Sequence, residues 1–75
     1  MAKLPLLSSH KVIKALAKVG FEQVSQRGSH IKLKRKGVDR TRIVIVPNFN
    51  EIPTGTLRSI IRQSGLDIEE FLELL

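Results

Sequence analysis

Two histidines, His10 and His30, are the only imidazoles in the sequence, and cysteine and tyrosine are absent. An imidazole takes or gives a proton near neutral pH, so these two positions are the first places to look for acid–base chemistry. His30 follows Arg27-Gly28-Ser29 and precedes Lys32 and Lys34 at alternate positions. In an extended strand, alternate residues share a face, which puts the lysines roughly 7 and 13 Å from His30. A phosphate beside the imidazole would then have cations holding its neighbours. RNA supplies its own nucleophile, the 2′-hydroxyl, so one base and positive charge suffice to begin strand scission. The same residues also describe an ordinary histidine on an exposed strand. His10 falls in or just before a first helical turn and reads as a surface residue. Neither histidine sits in a local His/Asp/Glu cluster, so no zinc or two-metal site is expected. No Gly-rich phosphate loop and no nucleophile-elbow motif is present, which disfavours nucleotide hydrolysis and a serine triad.

The charge distribution supports a polyanionic partner. Thirteen Lys+Arg against seven Asp+Glu give a net +6. The positive charge is concentrated: Arg27, Lys32, Lys34, Arg35, Lys36, Arg40 and Arg42 are opposed only by Asp39, whereas Asp67, Glu69, Glu70 and Glu73 make the end acidic. A basic centre beside an acidic tail suits a polyanion-binding surface, although a merely solvated hairpin has the same composition. Of Phe21, Phe49 and Phe71, two read as structural, so the sequence disfavours base stacking and leaves backbone and shape recognition open. The length, 75 residues, suits one domain, read as 1–75. Absence of cysteine fits a reducing, cytoplasmic setting. No apolar run reaches the roughly 20 residues that span a bilayer, and Met1 to Leu7 is too short and broken for a secretory signal.

The elements that must position these residues follow from periodicity. Ser8 or Ser9 caps a first helix with Val12, Ile13, Leu16 and Val19 on one side and Lys11, Lys14 and Lys18 on the other. Gly20 stops it, and Phe21 folds back on Leu16. Three strands follow, Glu22–Gln26, Ser29–Arg35 and Thr41–Val46, with Gly28 turning the chain into the second. Lys36–Asp39 is the second connection, in which Gly37 supplies the turn conformation. Ile31 and Leu33 alternate away from His30, Lys32 and Lys34. In the third strand Ile43 and Ile45 are matched to the buried face, leaving Arg42, Val44 and Val46 on the other. After a loop at Asn48–Pro53, a helix starts near Thr54 with Leu57, Ile60 and Ile61 inward, and its free N–H groups weakly favour a phosphate. Gly65 stops it, with Leu66 folding back on Ile61. Asp67 and Glu70 form a capping box for a short last helix. The fold class is α+β: α-β-β-β-α plus a short C-terminal helix, with helices on one face of a three-stranded antiparallel sheet. The open face is assigned His30, Lys32, Lys34 and Arg42.

Three blocks in order, Lys18-Val19-Gly20-Phe21, Arg27-Gly28-Ser29-His30 and residues 52–66, together with Glu69-Glu70-Phe71-Leu72, resemble the HicA (YcfA-like) family of toxins from toxin–antitoxin pairs. The resemblance runs from about Ser9 to Leu74. It implies a double-stranded-RNA-binding-domain-like fold and cleavage of mRNA, which the lack of metal-ligand spacing makes metal-independent, with no cofactor expected. It also implies a catalytic role for the histidine of Gly-Ser-His, here His30. The implied partner is a HicB-like antitoxin that covers the active surface, for which Val44 and Val46 are the candidate contacts. Where many relatives carry a histidine near the end of the third strand, this chain has Val46-Pro47-Asn48-Phe49-Asn50, and no leaving-group acid is assigned. The functional expectation is an endoribonuclease with His30 as general acid/base and Arg27, Lys32, Lys34, Arg35 and Arg42 binding RNA. The alternatives are a non-catalytic RNA-binding module using the same face and a protein-interaction adaptor.

Overall fold

The computed structural model describes residues 3–75, so the reading of Met1 to Leu7 falls partly outside the described residues. The elements are α1 (Ser9–Ala17), β1 (Glu22–Arg27), β2 (His30–Lys36), β3 (Thr41–Pro47), α2 (Thr54–Ser64) and α3 (Ile68–Glu73). This is the expected α-β-β-β-α order with one further short helix. The strands form an antiparallel sheet in the order β1-β2-β3. The shortest dimension of the molecule is 17 Å, enough for the sheet and one layer of helices about 10 Å across. One face of the sheet is therefore bare. No helix among the described residues is long and apolar enough to cross a membrane.

Local chemistry ends the elements where the sequence places the stops. Ser8 Oγ accepts from Lys11 N–H at 3.2 Å and caps α1, leaving Ser9 free for a tertiary role. Past α1, Phe21 N–H donates to Leu16 O and Gly20 N–H to Ala17 O, the paired bonds of a Schellman stop. Gly65 stops α2 as expected, in the left-handed conformation at φ +81, and Leu66 N–H donates to Ser64 Oγ. Asp67 and Glu70 make the reciprocal capping box of α3. Gly37 corrects an expectation. Its φ is not positive; instead an added Cβ would lie 2.7 Å from Arg40 O, so close backbone approach in the hairpin requires the glycine.

The third strand corrects a face assignment. Ile31 pairs with Val46 and Leu33 with Val44, and cross-strand partners share a face. Val44 and Val46 are each 0% exposed and pack with Val12, Leu16, Leu57, Ile60 and Phe71 in the core, whereas Ile43 and Ile45 are 39% and 37% exposed on the bare face. The sequence reading had the two sets reversed. In Ile43-Val44-Ile45-Val46 every residue is apolar and β-branched, so alternation along the strand carries no information about which side is buried. Arg42 moves with the valines. It pairs with Arg35 on the helix-covered side, where its guanidinium lies over Gly65 closer than any side chain there would permit.

Candidate active site on the open sheet face

Strand register builds the site row by row. Arg27, His30 and Pro47 form one cross-strand row; Ser25, Lys32 and Ile45 form the next; Glu22, Lys34 and Ile43 the third. Directly opposite side chains have Cβ atoms roughly 4.5–5.5 Å apart. Arg27 is thus the immediate lateral neighbour of His30, and Lys32 its neighbour along the strand. Both are exposed, as is His30 itself. Lys34 is half-buried and faces Glu22, an opposite charge that tempers its field. In the rows of His30 and Lys32 the cross-strand partners carry no carboxylate.

The structure brings together His30, Arg27, Lys32 and Lys34 and separates them from Arg35 and Arg42. Those two stand at the far end of β2 and β3 on the covered side. The Arg35 guanidinium lies 5.8 Å from the centre of the Phe21 ring, close enough for a cation–π contact. His10 is exposed in the first turn of α1, as read from sequence. The two isoleucines, Ile43 and Ile45, give the open face an apolar margin in the place that had been assigned to Val44 and Val46.

The His30 end is also tethered by several long-range hydrogen bonds. Gly28, with φ +58, and Ser29 make a two-residue turn that delivers His30 to the start of β2. Asn48 N–H donates to Ser29 O at 2.7 Å, fastening the loop after β3 to that turn. Ser9, 2% exposed, lies within bonding distance of Pro47 O and Phe49 O through its hydroxyl, and that hydroxyl accepts from Phe49 N–H. Sequence reasoning missed Ser9 because a serine at a helix start is already explained as a cap; the neighbouring Ser8 performing that task was the available signal. Ile52 N–H donates to Leu7 O, which brings the start of α2 beside the start of α1. Both helices thus begin at the His30 end, where their partial positive charges favour an anion. Among the described residues no group of three or more His, Cys, Asp or Glu side chains comes together.

A one-sided α+β fold with a basic, partly apolar bare sheet defines a class of small proteins with a whole face free for another molecule. Within that class, residues 9–66 match the family model described as HicA toxin of bacterial toxin–antitoxin, which spans more than half of the chain. The chain belongs to the HicA toxin family and is the toxin member of a toxin–antitoxin pair. Of the sequence blocks, Lys18–Phe21, Arg27–His30 and 52–66 lie inside the matched stretch and Glu69–Leu72 beyond it. No curated protein matches the chain.

Proposed function

We propose that this toxin is an endoribonuclease that cleaves mRNA in the cytoplasm without a metal ion, using residues 1–75 as one HicA-like toxin domain. The observation that carries this reading is His30, exposed at the start of β2 with Arg27 beside it and Lys32 two residues along. His30 takes the proton of a ribose 2′-hydroxyl. The 2′-oxygen then bonds to phosphorus, the bond from phosphorus to the 5′-oxygen breaks, and that oxygen takes a proton from solvent. Arg27 and Lys32 neutralise the charge that grows on the phosphoryl oxygens, a stabilisation worth most where water is displaced. Lys34 holds the chain further along. Arg35 and Arg42, included in the RNA track on sequence grounds, lie on the covered side and are left out of it.

A HicB-like antitoxin inhibits by covering the same face, with Ile43 and Ile45 as its apolar contacts in place of the buried Val44 and Val46. The test is degradation of purified RNA in the presence of a chelator. His30→Ala should lower the rate by about 10²–10⁴, the usual value of a positioned acid–base group, with RNA affinity retained. Full activity in that variant overturns the catalytic assignment. Salt-sensitive binding without turnover in the parent protein would establish a non-catalytic RNA-binding module instead.

A further inference from the structure

We propose that Phe49 is a stacking platform for an unpaired nucleobase next to the linkage addressed by His30; the proposal rests on the ribonuclease reading above. Phe21 and Phe71 are 3% and 0% exposed, whereas Phe49 is 46% exposed. Its ring is thus partly withheld from the core, yet its backbone is held firmly. The Phe49 N–H lies 2.6 Å from Ser9 Oγ and 3.0 Å from Pro47 O. The Phe49 carbonyl accepts from Ser9 N–H at 3.0 Å and stands 2.9 Å from Ser9 Oγ. Fixing a backbone costs conformational entropy, and a half-exposed ring contributes only part of the burial that would offset it. A rigid, solvent-facing aromatic is what a base-stacking contact requires.

Its location fits the same role. Pro47 is the direct cross-strand partner of His30, so two further residues of chain keep the Phe49 Cα within roughly 12 Å of that of His30. That is the scale of one nucleotide from a phosphate to its base. The starts of α1 and α2 beside the loop favour the flanking phosphates. The ligand class is single-stranded RNA, recognised by the face of a base and not by its edge, so the contact tolerates different bases.

The chain contains no tryptophan or tyrosine, so Phe49→Trp introduces a solitary indole as a reporter. In a His30→Ala background, which leaves RNA uncut, a short single-stranded oligoribonucleotide should quench that indole. Inorganic polyphosphate, which offers charge without bases, should bind the same cations and leave the fluorescence unchanged. Phe49→Ala should weaken oligoribonucleotide binding about 5- to 150-fold, the range that loss of one stacked base produces. Phe49→Trp should preserve that affinity and Phe49→Leu should not, while polyphosphate affinity stays constant in all three and reports an intact fold. An indole indifferent to RNA, or a Phe49→Ala variant that binds RNA as tightly as its parent, overturns the proposal. So does a Phe49→Ala variant weakened only toward the antitoxin. Cleavage by the wild type and its loss in His30→Ala judge the nuclease reading separately.

Discussion

Ser9 shows how a single hydroxyl can organise a site it does not enter. It is 2% exposed, and its oxygen accepts from Phe49 N–H while Pro47 O and Phe49 O offer its proton two acceptors. Those bonds fix the loop whose first residue, Pro47, sits opposite His30. Removing the hydroxyl takes from the Phe49 N–H the nearer of its two acceptors and leaves it Pro47 O, a loss of about 0.5–1.5 kcal/mol, the net worth of one hydrogen bond. Ser9→Ala should therefore lower unfolding free energy by that amount, with faster amide exchange at Phe49 as the local signature. Ser8→Ala should cost about 1 kcal/mol through loss of the cap alone, without that local effect. The two adjacent serines were interchangeable as caps in the sequence. Only the packing of the loop against α1, a contact between residues some forty positions apart, separates their roles. His30 was legible because its neighbours carried the signal: basic residues at alternate positions and a glycine turning the chain into the strand before it. Arg27 as its lateral neighbour comes only with the structure, where the two-residue turn is Gly28–Ser29, one residue later than the strand bounds read from sequence.

At the scale of elements, the order and most ends of the helices and strands could be read from sequence, and the facing of β3 could not be read from β3 itself. The information lay in the loop before it. A hairpin connection with an even number of residues always pairs an odd-numbered residue with an even-numbered one. The loop from Gly37 to Arg40 therefore sets Leu33 against Val44 and Ile31 against Val46, and it carries Arg42 to the covered side beside Arg35. The Lys36–Asp39 connection read from sequence has the same number of residues, hence the same parity, and already implied the same facing. A strand apolar on both sides also suits a covered core on one face and the proposed antitoxin contact on the other. The consequence is measurable. Val44→Ala removes two buried methyl groups and leaves a cavity, for a cost of about 2–3 kcal/mol. Ile45→Thr keeps the β-branched shape at a position 37% exposed, and should change stability by less than about 0.5 kcal/mol. Denaturant unfolding of the two variants should rank them in that order, and Ile45→Thr should instead weaken capture by the antitoxin. Equal destabilisation would mean that both faces of β3 are structural.

The whole molecule is polarised along its strands. α1 and α2 both start at the His30 end, tied there through Ser9 and Ile52. They end at Gly20, against the Arg35 stem, and at Gly65, under the Arg42 guanidinium. The two helices therefore point their partial positive charges toward the proposed phosphate site and their partial negative charges toward the arginine pair. Arg35 and Arg42 face each other directly, an arrangement of like charges that destabilises an isolated pair of strands. The negative helix ends and the Phe21 ring make it tolerable. Two populations of cation follow from one layout: Arg27 and Lys32 stand exposed on the sheet with Lys34 half-buried opposite Glu22, while Arg35 and Arg42 lie at the helix ends. Substituting one member of each population should separate their roles. Arg27→Gln should reduce the salt dependence of RNA binding by about one phosphate contact and leave the unfolding midpoint nearly unchanged. Arg42→Gln should lower stability by about 0.3–1 kcal/mol, the usual value of a cation at a helix C-terminus, and leave the salt slope intact. Measured side by side, a loss of salt slope in Arg42→Gln comparable to that in Arg27→Gln would return Arg42 to the RNA track and require the nucleic acid to pass around the hairpin to the helix side.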